Sequence, residues 1–160
     1  MTAYRRLEWK DSFSVGIPAV DDDHRRMIGL LNEISAALEQ RDYPACEDHF
    51  DRFIALAADH FQREERYLFA TAYPQATEHA RHHGRLLVMA GEVRERCRKL
   101  IEANQMTECF NDLVAFLVDD ILGADILFKS YLDEHKVDRP GLENQIGDTQ
   151  IGDTIRISTK

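Results

Sequence analysis

The sequence predicts an all-α protein: an up-down-up-down antiparallel four-helix bundle with an extended N-terminal arm and a non-helical C-terminal tail. Three observations predict it. Helix breakers are few, with 8 glycines and 4 prolines among 160 residues, below average usage. The prolines stand at 18, 44, 74 and 140, as if marking helix starts and junctions. Between them, apolar residues recur every three or four positions over four long stretches, the signature of one-sided helices. Short connections then make neighbouring helices antiparallel.

The arm is expected to run to about Ala19. The first helix should follow Asp21-Asp22-Asp23, a fitting N-cap and first turn. Its stripe is Val20, His24, Met27, Leu31, Ile34 and Leu38. The second helix should begin near Pro44, since proline suits the first helical position. Its stripe is Cys46, Phe50, Phe53, Ala57, His60, Glu64 and Tyr67. The third should begin near Pro74, with His79, His83, Leu86, Ala90, Val93, Cys97 and Leu100 inward. The fourth is expected from about Thr107 to Glu134, with Phe110, Leu113, Leu117, Asp120, Ala124, Phe128 and Tyr131 inward. These helices define a domain over residues 1–136. Residues 137–160 form a separate tail, with Pro140, Gly141 and an Ile-Gly-Asp-Thr motif at Ile146 repeated at Ile151. No helical period survives there.

Composition excludes several classes. Acidic residues outnumber basic ones, 29 to 20, which argues against a nucleic-acid-binding face. No run approaches the ~18 apolar residues of a membrane span. The start, MTAYRRLEWKDS, lacks the apolar core of a signal peptide. Cys46, Cys97 and Cys109 are odd in number and widely spaced, with no disulfide framework. A cytoplasmic protein with no attached signalling domain is therefore expected, and a monomer is expected because isolated bundles of this size can stand alone.

The stripes are not purely apolar. His60 and Glu64 are four residues apart on the second helix, and His79 and His83 on the third. Residues at that spacing lie one above the other on a helix face, so each pair can converge on a point. His24 stands in the first stripe, and Asp120 and Asp125 in the fourth helix. Antiparallel geometry brings all seven to the same end of the bundle. Buried imidazoles and carboxylates are costly unless paired or metal-bound. A lone core histidine would be a satisfied polar group, but four histidines and three carboxylates on four helices point to metal. Imidazole and carboxylate without thiolate suit Fe, Mn or Zn. Shared carboxylates suit two ions about 3.5–4 Å apart.

The remaining candidates read as structural. His49 lies eleven residues before His60, about 16 Å away along the helix. His135 ends the fourth helix, where a cation is favoured. Glu65 points about 100° from Glu64 and should face solvent. His82 is an inward alternative three residues after His79.

These motifs resemble the bacterial hemerythrins, non-haem di-iron oxygen-binding proteins. The resemblance rests on Trp9, Ser14-Val15-Gly16-Ile17, Asp21-Asp22-Asp23-His24, His60-Phe61-Gln62-Arg63-Glu64-Glu65, Tyr73-Pro74, His79 with His83, and Asp120 to Asp125. It covers residues 7 to 135. It implies two Fe ions, bridged by carboxylates and an oxo or hydroxo group. Glu64 and Asp125 would be the bridging carboxylates. His24 and His60 would serve one iron, and His79 and His83 the other. The family's further histidine on the last helix is replaced here by Asp120. Aspartate is shorter and negative, so it would leave an open position or favour the ferric state. Alternatively, it replaces histidine as a ligand and oxygen binding survives. Tyr67 stands where the family usually carries an aliphatic residue. It would donate to a ligand carboxylate, act as a redox-active phenol, or be core with its hydroxyl at the surface. Leu31, Phe116, Leu117 and Ile121 would wall the pocket, and Phe116 stands where the family often has Trp.

The function these readings imply is dioxygen binding for storage, delivery or sensing, without turnover. The alternatives are a redox enzyme acting on peroxide, dioxygen or nitric oxide, and an iron-handling protein. A separate partner docking on the acidic surface or tail remains open.

Overall fold

A computed structural model of the chain describes residues 6–99, 103–118 and 123–146. Helix α1 spans Pro18–Glu39, α2 Tyr43–Ala70, α3 Ala76–Lys99 and α4 Ala103–Val118. A π-helical turn at 123–125 leads into α5, Ile126–Glu134. A last helix, α6, spans Arg139–Ile146. Helix α1 packs on α2, α2 on α3, α3 on α4, and α4 back on α1. That closed ring of neighbours, joined by short connections, is the expected four-helix bundle.

The helical stripes account for the interior. Every member of the first two is buried, as are His79, His83, Leu86, Ala90 and Val93 of the third. The buried apolar residues divide into two clusters. The larger runs from Met27 and Leu31 through Phe50, Phe53 and Phe61 to Leu86, Phe110 and Leu117. The smaller joins Val15, Ile17 and Val20 to Tyr67, Leu68, Tyr73, Ala76, Phe128, Leu132 and Leu142.

Three helix ends share one device. After α1, Arg41 N–H donates to Leu38 C=O and Asp42 N–H to Ala37 C=O. Ala72 and Tyr73 repeat the pattern after α2, and Lys136 and Val137 after α5. This is the Schellman closure, which needs a left-handed residue and usually employs glycine. Here Arg41, Ala72 and Lys136 adopt it, at φ of 56°, 55° and 51°. Each closure also directs the next stretch of chain. Asp42 becomes the N-cap of α2, accepting from Ala45 N–H. Tyr73 and Val137 turn back into the smaller cluster with Leu68 and Leu132.

Four expectations are corrected. The arm contains a short 3-10 turn at Asp11–Phe13. It ends at Ile17, because Pro18 opens α1. Asp21-Asp22-Asp23 therefore does not cap α1. Asp21 instead accepts Ser14 Oγ–H and Val15 N–H, at 2.9 Å for the latter, and ties the arm to the helix. Within Thr107–Glu134, a π-helical turn interrupts α-helical winding at 123–125. The tail is not wholly non-helical, since Arg139–Ile146 is α6. Leu142 reaches the smaller cluster, and that tertiary contact supplies what local periodicity lacked.

Gly16 shows how closely this end is packed. It has φ +80°, and a Cβ there would collide with the Arg139 side chain. The glycine provides both the left-handed backbone and the space for α6. Arg139 is also paired with Asp133. Farther along the arm, Leu7 exchanges two 2.8 Å hydrogen bonds with the Asn32 side chain. Arg25 stacks 4.5 Å above the Trp9 ring.

Candidate metal centre

Between the two apolar clusters lies a layer of buried polar side chains. His24 comes from α1, His60 and Glu64 from α2, His79 and His83 from α3, and Asp125 from the π-helical turn. A π turn shifts the helical register by one residue and is frequent at functional sites. Six of the seven residues expected at the site are thus brought together. Asp120 lies outside the described residues, as does Ile121.

These six side chains form two overlapping groups. One is His24, His60, Glu64 and Asp125; the other is Glu64, His79, His83 and Asp125. Within each, the potential ligand atoms lie within 4.8 Å of one another. Glu64 and Asp125 belong to both, and each divides its oxygens between them. Glu64 Oε2 is 3.2 Å from His60 Nε2, while Oε1 is 2.8 Å from His79 Nε2 and 3.4 Å from His83 Nε2. Asp125 Oδ2 is 3.0 Å from His24 Nε2, while Oδ1 is 3.0 Å from His79 Nε2.

The donor set fits cations. His24 Nε2 and His60 Nε2 face each other at 3.0 Å. Both Glu64 oxygens and His79 Nε2 are buried without a hydrogen bond of good geometry. Lone pairs converging on a common centre are what a metal ion requires. The electrostatics agree. Burial opposes ionisation of Glu64, but contacts with His60, His79 and His83 outweigh it and hold the carboxyl well below its usual range. Burial likewise opposes charge on the histidines. Asp23 and Glu64 nevertheless push His60 up to about 10, and Asp125 and Glu64 push His79 up to about 9. The carboxylates that raise these histidines would equally stabilise a cation at the centre.

Two residues read from sequence as bystanders touch the site. Asp23, taken as part of a cap, accepts from His60 Nδ1 at 3.1 Å and from Arg63 Nη1. Burial opposes its ionisation, yet His60 and Arg63 hold it below its ordinary range. Glu65, expected to face solvent, lies 3.2 Å from His83 Nδ1. Both contacts cross between helices, so no spacing along one helix could reveal them. Phe61 also stacks on His83, with centroids 4.0 Å apart and planes at 9°.

The other candidates lie apart from the ligand groups or wall them. His49 pairs with Glu33 of α1 at 3.3 Å, and His135 Nδ1 contacts Tyr131 C=O. His82 is half-buried and belongs to neither ligand group. Tyr67 is completely buried, so its hydroxyl does not reach the surface. Leu31 and Leu117 are buried and Phe116 half-buried, all in the larger cluster beside the site.

An all-helical bundle with histidines and shared carboxylates gathered in its core defines a class, the metal-binding four-helix proteins. The profile of the hemerythrin HHE cation-binding domain matches residues 15–131. The chain belongs to the hemerythrin family, whose members hold a non-haem iron centre. It is 30% identical to a bacteriohemerythrin of Stenotrophomonas maltophilia over 90 residues, 56% of this chain and 59% of that one. It is 28% identical to a bacteriohemerythrin of Clostridium acetobutylicum over 82 residues, 47% of this chain and 61% of that one. A myohemerythrin of Theromyzon tessulatum is 23% identical over 125 residues, 78% of this chain and 92% of that one. The matches to the two bacterial relatives thus span about three-fifths of their length. Among the described residues, no helix is long and apolar enough to cross a membrane.

Proposed function

We propose that this chain is a non-haem di-iron protein that binds dioxygen, storing, delivering or sensing it. The observation that carries the reading is the division of Glu64 and Asp125 oxygens between two histidine pairs. In this reading His24 and His60 would hold one iron and His79 and His83 the other, with Glu64 and Asp125 available to both. Asp120 keeps its place as a seventh ligand on the sequence resemblance alone. When bound, a ferrous pair would supply two electrons to dioxygen and recover them on its release.

The chain's own residues prepare for that role. Glu64 and Asp125 supply fixed negative charge in a buried layer, where electrostatic attraction to a cation is strong. Phe61 fixes the plane of His83 by stacking. Met27, Leu31, Leu86 and Leu117 cover one side of the layer, while Tyr67, Leu68 and Phe128 cover the other. Apolar walls of this kind exclude bulk water, which limits side reactions. A cytoplasmic monomer is the accompanying proposal, suited to three cysteines without a disulfide pattern.

The test is metal content per chain together with visible spectra of the reduced protein before and after air. Two irons and a spectrum that reverts on degassing are expected. Two irons with irreversible oxidation would favour the redox enzyme that Asp120 suggests. One iron or none would overturn the di-iron reading. Glu64→Ala should lose both metals, because Glu64 belongs to both groups; retained metal would refute the site.

A further inference from the structure

The buried layer is polar beyond its ligand atoms. His60 is wholly buried, and its Nδ1 is 3.1 Å from Asp23 Oδ2. The same oxygen receives Arg63 Nη1–H. Asp23 is buried on α1, whereas the Arg63 side chain on α2 remains 32% exposed. The result is a chain of polar contacts from the surface to the centre: Arg63, Asp23, His60 Nδ1, and His60 Nε2 facing His24, Glu64 and Asp125.

The second ligand group has a different support. His83 Nδ1 meets Glu65, whose side chain is also 32% exposed. Among the described residues, no arginine or lysine is paired with Glu65. One histidine is therefore backed by a buried, charge-compensated carboxylate and the other by a partly exposed one. His24 Nδ1 has no hydrogen-bond partner among the described residues. Of the His24 and His60 pair, only His60 has a carboxylate behind it.

Resting on the di-iron reading, we infer that Asp23, neutralised by Arg63, is the positioning residue of the His24–His60 iron: it fixes Nδ1–H of His60, aims Nε2 at the metal and sets the charge felt there. A carboxylate behind a metal-bound imidazole fixes its tautomer and strengthens it as a donor. A stronger, more negative donor favours the ferric over the ferrous ion. The guanidinium opposes that effect by drawing off part of the Asp23 charge. Asp23 and Arg63 therefore act on the iron with opposite signs. A purely structural ion pair joining α1 to α2 would instead lose stability on either side, with no opposed effect at the metal.

The test compares the full-length wild-type chain with Asp23→Asn and Arg63→Gln. Each is loaded with ferrous iron without oxygen, and helical content is checked by circular dichroism. Iron affinity is read by chelator competition, and the midpoint potential by spectroelectrochemistry. Asp23→Asn keeps an oxygen acceptor but loses the charge. It should weaken one iron by about 10- to 100-fold and raise the potential. Arg63→Gln leaves the Asp23 charge uncompensated and should lower the potential while both irons remain bound. Normal wild-type loading with same-sign shifts, or with no shift, overturns this inference alone. A wild-type chain that takes up no iron overturns the di-iron reading and this inference with it.

Discussion

The two apolar clusters on either side of the metal layer are built differently. The larger comes mainly from periodic helix faces, with Leu31, Phe50, Phe61, Leu86 and Phe110 as members. The smaller gathers unlike pieces: the arm at Val15 and Ile17, the end of α2 at Leu68, the turn residue Tyr73, α5 and α6. Schellman closures aim Tyr73 and Val137 into it. The difference teaches that helical period builds one side of the site, while chain reversals and termini seal the other.

The sharpest way to break this comparison is a matched pair of truncations. Phe50 and Phe128 are both buried, one in each cluster. Each change to alanine should cost about 3–5 kcal/mol in denaturant unfolding. Only Phe128→Ala should also speed metal loss, since Phe128 follows Asp125 by three residues and lies in the cluster sealing that end. Equal metal-release rates for both variants would erase the functional distinction between the clusters.

A smaller effect probes the seal itself. Gly16→Ala forces a side chain into the left-handed region and against Arg139. The backbone alone should cost about 1–2 kcal/mol. Hydrogen exchange should rise over α6 and the arm, with the larger cluster unchanged. Protection retained over α6 would show that Arg139 does not anchor it.

Ala72→Gly should act in the opposite direction. Ala72 already occupies the left-handed region at φ 55°. Removing its Cβ relieves strain but increases the freedom of the unfolded chain, leaving a gain of about 0.5–1 kcal/mol. A thermal melt decides the sign.

The smallest effect at neutral pH belongs to Cys46 in the larger cluster. Burial, with Glu47 and Asp42 nearby, pushes its thiol up to about 11 from the ordinary value of 9.0. The folded state then holds the proton more tightly than the unfolded state. Its contribution to stability is constant below pH 9 and falls as pH rises towards about 11. Cys46→Ala should remove that slope. Labelling of Cys46 itself at pH 8, read by peptide mass so that Cys97 and Cys109 are counted apart, should track opening of the fold, because the thiolate is the reactive form. Rapid labelling of Cys46 in the folded protein would contradict this.

What the sequence alone determined was whatever repeats along a helix. The inward stripes, the four-helix ring they imply, and the pairing of His60 with Glu64 and of His79 with His83 stem from residues three or four apart lying on one face. Pro18 signalled the true start of α1, but the neighbouring aspartates offered a competing cap. Tertiary structure decided everything that depends on neighbours distant in sequence. It turned Asp21 towards the arm, Asp23 towards His60 and Glu65 towards His83. It wound residues 139–146 into a helix whose Leu142 helps close the smaller cluster. The physical reason is common to these cases. Local spacing fixes the face on which a side chain stands, but only the packed helices determine which charge or apolar surface it meets.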